Sequence, residues 1–178
     1  MRKAGMMIAL CFALVGVFLA GPWPVQECHA ATEVGSEAPD FILKDVNDNT
    51  VRLSDQRGKV VMLSFWRQYC RPCVAEMDLL IKLHNDYYKK GFEILSITWD
   101  DKKDVMEFLK TKPLPYVVLL DPEGKTIKPY NIFAIPKVFV VDKKGIIRHL
   151  TLGYSPDPEG RAKTEKEYRE LIEKLLAE

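Results

Sequence analysis

The sequence predicts an α/β protein with a central mixed β-sheet flanked by helices, and two patterns support this fold class. Short apolar runs of strand length alternate with segments whose apolar residues recur every three or four positions. Clusters of Gly, Pro, Asn and Asp separate these segments. Such alternation favours right-handed crossovers and a largely parallel core, and 178 residues are enough for one domain.

Seven runs of strand length are bounded by turn residues. The expected strands are residues 41–43, 51–53, 60–66, 92–99, 116–120, 138–141 and 146–152. The first two should form an N-terminal hairpin, because residues 47–49 are Asn-Asp-Asn. The continuous apolar run over residues 60–66 is typical of a strand that is buried on both faces. The last two strands are joined through Asp142 and Gly145 and should be antiparallel neighbours.

Three segments have helical spacing of their apolar residues. The expected helices are residues 72–91, 101–110 and 163–176, with a short helical piece over residues 126–130. Pro72 suits a first helical turn, and Gly91 suits a helix end. We expect residues 54–59 to be a loop and residues 156–160 to break the chain before the last helix.

Residues 1–30 have the pattern of an export signal. Two basic residues precede an uncharged run over residues 4–20, which Gly and Pro residues end. Cleavage after Ala30 would leave residues 31–178 as one soluble domain. The alternative is an uncleaved membrane anchor, because the run is only a little shorter than the roughly 20 residues of a spanning helix. Both alternatives place the domain in the periplasm or on the extracytoplasmic side of the membrane.

Composition limits the class of partner. Charged residues make up 29% of the chain and aromatic residues 10%, which excludes a disordered protein. A formal net charge of +1 provides no general attraction to nucleic acid or to anionic lipid. We therefore expect no nucleic-acid partner, and we expect a monomer.

Without residues 1–30, the remaining cysteines are Cys70 and Cys73. A zinc site would need two more ligands, and His84 and His149 have no metal-type spacing to the pair. A purely structural disulfide that closes so short a ring would stabilise the fold by only about 2 kcal/mol. A C-x-x-C pair where a strand meets a helix instead indicates redox chemistry.

The two cysteines are expected to have different roles. Cys70 should lie at the helix start, where unpaired amides and roughly half a positive charge favour a thiolate. Cys73, one turn further along, should be shielded by Trp66 and Tyr69. We therefore expect Cys70 to attack a substrate disulfide and Cys73 to resolve the mixed disulfide.

Several separated motifs occur along the chain in a fixed order. They are Val34-Gly35, Ala38-Pro39-Asp40-Phe41, Gly58-Lys59, Ser64-Phe65-Trp66, the Cys70 to Cys73 pair, and Ile135-Pro136 followed by Val138-Phe139-Val140-Val141-Asp142. On these residues the chain resembles the exported TlpA/ResA-type thiol:disulfide oxidoreductases, which are related to reductants of cytochrome c maturation. The resemblance covers about residues 34–176. It implies a thioredoxin-like fold with an extra helix and strand, for which residues 101–120 leave room.

The resemblance also implies roles for residues outside the cysteine pair. Pro136 should be cis and lie against the cysteines, with the backbone of Ile135 presented to an extended substrate segment. A functional glutamate matches Glu76, whose charge would oppose thiol ionisation and whose carboxyl would exchange protons. The alternative is a glutamate that only stabilises the helix N-terminus. The other residues expected to bind substrate are Trp66, Tyr69, Arg71 and Pro72.

Three cationic side chains leave the direction of electron flow open. Arg67, Arg71 and Lys137 would favour a thiolate and a more oxidising couple. Tyr69, where the family commonly has Trp, departs from the usual pattern together with Arg71 and Lys137, and this leaves the substrate open. We expect His84, His149 and Trp99 to be packing residues.

The function predicted from these residues is disulfide exchange without a metal or an organic cofactor, with Cys70–Cys73 as the redox-active disulfide. The expected direction is reduction of an exported disulfide protein, and the resemblance implies a membrane thiol reductase as electron donor and a substrate such as apocytochrome c. One alternative is a copper metallochaperone that uses Cys70 and Cys73 without redox turnover. Another is a peroxidase of the same fold, for which Met62 and Arg67 occupy the places of the required Pro and Thr or Ser.

Overall fold

The computed structural model describes residues 32–178 and places seven strands in one sheet. In chain order the elements are β1 (Ile42–Asp45), β2 (Thr50–Arg52), β3 (Val60–Phe65), α1 (Arg71–Tyr87), β4 (Phe92–Thr98), α2 (Lys102–Thr111), β5 (Val117–Leu120), β6 (Lys137–Val141), β7 (Ile147–Leu152) and α3 (Pro158–Ala177). Across the sheet the strand order is β2-β1-β5-β4-β3-β6-β7. The predicted α/β class and mixed sheet are confirmed.

The sheet is parallel only in its middle. β3 pairs in parallel with β4, and β4 pairs in parallel with β5. The hairpin β1–β2, the pair β6–β7 and the contact of β3 with β6 are antiparallel. The parallel core is therefore smaller than the alternation of elements suggested. α2 and β5 follow β4 and precede Pro136, where the family resemblance places an extra helix and strand.

Alternate side chains of β3 enter two different apolar layers. Val61, Leu63 and Phe65 pack with the hairpin and with the segment that carries Tyr130. Val60 and Met62 point to the opposite face. The residues of α1 and α3 that cover this face are Leu79, Leu80, Leu83, Tyr87, Tyr168, Ile172 and Leu175. The central strand is thus buried on both sides, as its continuous apolar run predicts.

The short helical piece expected over residues 126–130 is wrong, because these residues form turns. The carboxylate of Asp121 accepts hydrogen bonds from the backbone N–H groups of Lys125 and Thr126, each at 2.8 Å. Pro129 has no N–H to donate. One helical turn forms, but Asn131 has a φ of 50°, in the left-handed region, and stops it.

Two helix boundaries differ from the expected ones. α3 begins at Pro158 rather than near residue 163, because Asp157 caps it by accepting the N–H of Gly160 at 2.7 Å. A proline in the first turn costs no helical hydrogen bond, so the polar Pro-Gly segment starts the helix instead of breaking it. α1 ends at Tyr87, and a 3-10 turn leads to Gly91, whose φ is 94°.

No helix within residues 32–178 is long and apolar enough to cross a membrane. The export signal or anchor expected over residues 1–30 lies outside the described residues.

Candidate active site

The pairing of β3 with β6 brings the cysteines and Pro136 to one edge of the sheet. Phe65, the last residue of β3, lies opposite Lys137, the first residue of β6. The chain that leaves β3 reaches Cys70 after a short loop, while the chain that enters β6 comes from Pro136. The Sγ atom of Cys70 lies 3.9 Å from the carbonyl oxygen of Ile135, and the Ile135–Pro136 bond is cis.

Cys70 and Cys73 form a disulfide with their Cα atoms 5.2 Å apart. Cys70 is the N-cap of α1, and its Sγ accepts the backbone N–H of Cys73 at 3.2 Å. Cys73 is only 1% exposed, whereas Cys70 is half-buried. Cys70 is therefore the sulfur that a substrate can approach. A thiolate there would face the unpaired amides of the first turn, with Pro72 in that turn.

Aromatic side chains surround the buried sulfur unequally. Trp66 packs in one apolar cluster with Cys73 and Met77, and its ring centroid is 5.3 Å from that of Phe108. Tyr69 is 81% exposed. The expectation that Tyr69 shields Cys73 is therefore wrong. The N–H of Cys70 donates to the carbonyl of Arg67 at 3.1 Å, which closes a tight turn and leaves Tyr69 near its tip.

Glu76 lies in the protein interior, one helical turn beyond Cys73 on the same side of α1. Glu76 is only 1% exposed, and its Oε1 atom has no hydrogen-bond partner among residues 32–178. Burial raises the pKa of this carboxyl to about 8. The alternative, a helix-N-terminal glutamate stabilised by the macrodipole, would have a lowered pKa and does not fit this burial.

Two buried phenols lie near enough to Glu76 to be affected by its charge. Burial first, and the negative charge of Glu76 second, raise the pKa values of Tyr116 and Tyr168. Neither hydroxyl has a hydrogen-bond partner in the described part of the chain. Both phenols therefore stay protonated and neutral beside Glu76.

Two of the three cations that were expected to act on the sulfurs are engaged by other groups. The guanidinium Nε of Arg67 donates to Asp100 Oδ1 at 2.6 Å. The ammonium of Lys137 donates to the carbonyls of Tyr130, at 3.1 Å, and of Asn131, at 2.8 Å. Arg71 is exposed to solvent. Stabilisation of a thiolate by these charges is correspondingly weaker than the sequence suggested.

Asp100 is a residue of the site that the sequence reasoning missed. Its buried carboxylate accepts from Arg67 and, at 2.8 Å, from the backbone N–H of Gln68. It thereby ties the loop that carries the cysteines to the end of β4. A signal was available, because β3 and β4 are parallel and the residues that follow them meet at the same sheet edge.

Asp100→Ala should lower the free energy of unfolding of the disulfide form by about 2 kcal/mol. The reason is that the Gln68 N–H and the Arg67 guanidinium would lose a buried, charged acceptor. Denaturant titration measures this change. Asp55→Ala is the control, since this exposed carboxylate has no hydrogen bond to any described residue and should change stability by less than about 0.5 kcal/mol. Equal stabilities of the two variants would show that Asp100 does not hold the loop.

The remaining candidate residues lie in the packing layers. His84 is buried on α1 and stacks on Tyr88 with centroids 4.9 Å apart. His149 lies on β7 with its Nε2 atom 2.7 Å from Thr151 Oγ1. Trp99 is half-buried against the layer that contains Phe65. Within residues 32–178, no group of three or more His, Cys, Asp or Glu side chains is arranged to hold a metal ion.

Comparison with known proteins assigns this site to a family. The model of the AhpC/TSA family matches residues 34–150. The chain belongs to the AhpC/TSA family. Within it, this AhpC/TSA protein is a ResA-like thiol-disulfide oxidoreductase. The thiol-disulfide oxidoreductase ResA of Geobacillus kaustophilus is 37% identical over 124 residues, which cover 69% of this chain and 71% of that relative.

Two further matches agree with this assignment, one in sequence and one in structure. The thioredoxin-like protein YneN of Bacillus subtilis is 31% identical over 157 residues, which cover 84% of this chain and 88% of YneN. The crystal structure of a Chlorobium tepidum protein, assigned as the thiol:disulfide interchange protein DsbE, superposes with a TM-score of 0.74. It is 29% identical in sequence, and the match covers 82% of this chain and 99% of that one. The thioredoxin-like fold and the enzyme class predicted from the sequence are confirmed.

Proposed function

We propose that this thiol-disulfide oxidoreductase works as an exported reductase of protein disulfides. The observation that carries the direction is the buried carboxyl of Glu76, which lies one helical turn from Cys73 while the nearby cations are engaged elsewhere.

The first step is attack by the Cys70 thiolate on one sulfur of a substrate disulfide. A bond forms between Cys70 Sγ and that sulfur, the substrate S–S bond breaks, and the second substrate sulfur leaves as a thiolate. The exposure of Cys70 at the start of α1 permits this approach. The carbonyl of Ile135, 3.9 Å from Cys70 Sγ, marks where an extended substrate backbone would lie. The exposed residues Arg71 and Pro72 are the other proposed members of this surface. Trp66 and Pro136, which the sequence also assigned to substrate binding, are buried and can only support the surface from beneath.

The second step is attack by Cys73 on Cys70 Sγ. The Cys70–Cys73 disulfide forms, the mixed disulfide breaks, and the reduced substrate leaves with both electrons of the dithiol. Burial raises the pKa of Glu76 to about 8, which is close to the value of about 8.5 for an unperturbed cysteine thiol, so a proton can pass between a carboxyl and a thiol at little cost. Its neutral carboxyl would protonate a leaving thiolate, and the resulting carboxylate would accept the proton of Cys73.

The same carboxyl favours the reducing direction. A strong oxidant of this kind is one whose reduced form is stabilised as a thiolate. Here the neutral carboxyl of Glu76 supplies no positive charge to a thiolate, its ionised form above pH 8 would oppose one, and the ammonium of Lys137 is directed to two backbone carbonyls. A dithiol without a stabilised thiolate gives up its electrons more readily.

The cycle needs a donor that reopens the disulfide, and we propose a membrane thiol reductase on the extracytoplasmic side. We place the enzyme in the periplasm or on the outer face of the membrane, either released near Ala30 or anchored through the preceding segment. The proposed cycle uses no metal or organic cofactor, since Cys70 and Cys73 carry both electrons. The proposed substrate is an exported disulfide protein, such as the haem-binding cysteine pair of apocytochrome c, and the proposed oligomeric state is a monomer.

A trapping experiment tests this function. Cys73→Ser, expressed in the native compartment, should accumulate mixed disulfides on Cys70, because the resolving sulfur is missing. Mass spectrometry of the captured proteins should identify exported proteins with cysteine pairs.

Cys70→Ser is the matched control and should capture at most a tenth as much, because Cys73 is buried. Equal capture by the two variants would show that the roles of the cysteines are wrongly assigned. Acid quenching and alkylation of the wild-type protein should show Cys70 and Cys73 as a dithiol. A fully oxidised pair would contradict the reducing direction.

A further inference from the structure

Two strongly exposed aromatic residues lie close in the chain to the two segments that meet at the reactive sulfur. Tyr69 immediately precedes Cys70 and is 81% exposed, and Phe133 is 73% exposed. Phe133 lies two residues before Ile135, so its backbone is at most about 7 Å from that of Ile135. The carbonyl of Ile135 is 3.9 Å from Cys70 Sγ. The backbones of Phe133 and Tyr69 are therefore close to the place where a substrate disulfide must lie.

Lys137 connects the position of Phe133 to the rigid sheet. This residue is 4% exposed, and its ammonium lies 5.2 Å from the ring centroid of Phe133 and 5.1 Å from that of Phe139. The same ammonium donates to the carbonyls of Tyr130 and Asn131, which begin the segment that leads to Phe133. A buried ammonium is costly unless such groups satisfy it, so these contacts constrain the segment.

The backbone at Asn131 shows the same constraint. Asn131 has a φ of 50°, in the left-handed region, and its carbonyl accepts from Lys137 at 2.8 Å. The first residue of β6 thus fixes the turn from which Phe133 projects, and β6 is itself held between β3 and β7.

We propose that Phe133 contacts the substrate during disulfide exchange and that Lys137 positions it there. The ligand is the segment of the disulfide substrate next to the attacked cysteine, and the preferred side chain in it is apolar. Such a side chain would cover Phe133 and Tyr69 and remove their apolar surface from water. A basic side chain is disfavoured, because the ammonium of Lys137 already lies beside the Phe133 ring and the exposed Arg71 lies beside Cys70. This inference rests on the exchange reaction at Cys70 and does not depend on its direction.

Two peptides test the contact. They carry the same intramolecular disulfide and differ only in Leu or Lys beside the first cysteine, and hydroxyethyl disulfide serves as a substrate without flanking residues. For the wild type, kcat/KM should be about tenfold higher for the Leu peptide than for the Lys peptide. Phe133→Ala should reduce this ratio to about twofold and leave the rate with hydroxyethyl disulfide unchanged.

Ile42→Ala is the matched control, because Ile42 is another exposed apolar residue on β1, which β5 and β4 separate from β3. It should keep the full tenfold ratio. An unchanged ratio in Phe133→Ala would overturn the proposal. An equal loss of rate with the peptides and with hydroxyethyl disulfide would also overturn it, since that pattern indicates damage to the cysteine pair.

Lys137→Met tests the positioning role. It should lower the Leu-to-Lys ratio to the level of Phe133→Ala, and the double variant should show no further decrease, because the two residues act as one unit. Lys137→Gln, which keeps N–H donors for the two carbonyls, should retain an intermediate ratio. Additive losses in the double variant would show that Lys137 does not act through Phe133. The Phe133→Ala comparison remains decisive for the contact itself, whether or not the Lys137 variants fold.

Discussion

Cys70→Ser should lower kcat/KM for a peptide disulfide by at least about 10³-fold, because it removes the sulfur that attacks. Cys70 is the half-buried N-cap of α1 with an amide of the first turn donating to its sulfur, so a thiolate forms there more readily than elsewhere in the pair. Stopped-flow measurement of thiol release from the reduced protein gives the rate. A serine hydroxyl cannot replace this function, since it remains protonated at neutral pH.

Cys73→Ser provides the comparison, because it should release about one equivalent of substrate thiol in a burst and then stop. The first attack needs only Cys70, while closure of the cycle needs the buried second sulfur. A burst from Cys70→Ser together with none from Cys73→Ser would reverse the two assignments.

Glu76→Gln should raise the free energy of unfolding of the disulfide form by about 3 kcal/mol at pH 7. The ordinary pKa of the carboxyl is 4.5, and burial raises it to about 8 in the folded protein. Between these values the folded state keeps a proton that the unfolded state has lost, so the wild-type stability falls as the pH rises. Below pH 4.5 the carboxyl is neutral in both states, and the two proteins should be nearly equal in stability. The amide of Gln is neutral throughout and removes this dependence.

Denaturant titrations from pH 4 to pH 8 measure the difference between the two proteins. Asp78→Asn is the matched control, since Asp78 is an exposed carboxylate on the same helix and pairs with Lys112 at 2.7 Å. It should leave the pH dependence of stability intact. Parallel curves for Glu76→Gln and the wild type would contradict the buried, neutral carboxyl.

The same variant should lower kcat for exchange by about 10²-fold, because proton transfer to and from the thiols would be lost. A residue that is costly for folding and useful for turnover is typical of an active site. An unchanged kcat together with the expected gain in stability would show that Glu76 affects the stability of the fold and not the rate of exchange.

The strands and the main helices could be predicted because their signals are local. The apolar run that becomes β3 and the helical spacing of α1 depend on residues only a few positions apart. The errors occurred where one residue sets the local backbone. The left-handed backbone of Asn131 ends the segment after β5, and Asp157 starts α3 earlier than expected. Both effects depend on a single residue, which hydrophobic periodicity does not report.

The sequence by itself determined the chemistry of this protein, because the C-x-x-C pair, the late Ile-Pro and the order of motifs identify a thiol-disulfide oxidoreductase. Only the tertiary structure decided how exposed and how charged each group is. It buries Glu76, leaves Tyr69 exposed, and turns the ammonium of Lys137 toward Tyr130 and Asn131. The physical reason is that loss of water and pairing of charges depend on segments far apart in the chain, which meet only when β3 and β6 pair.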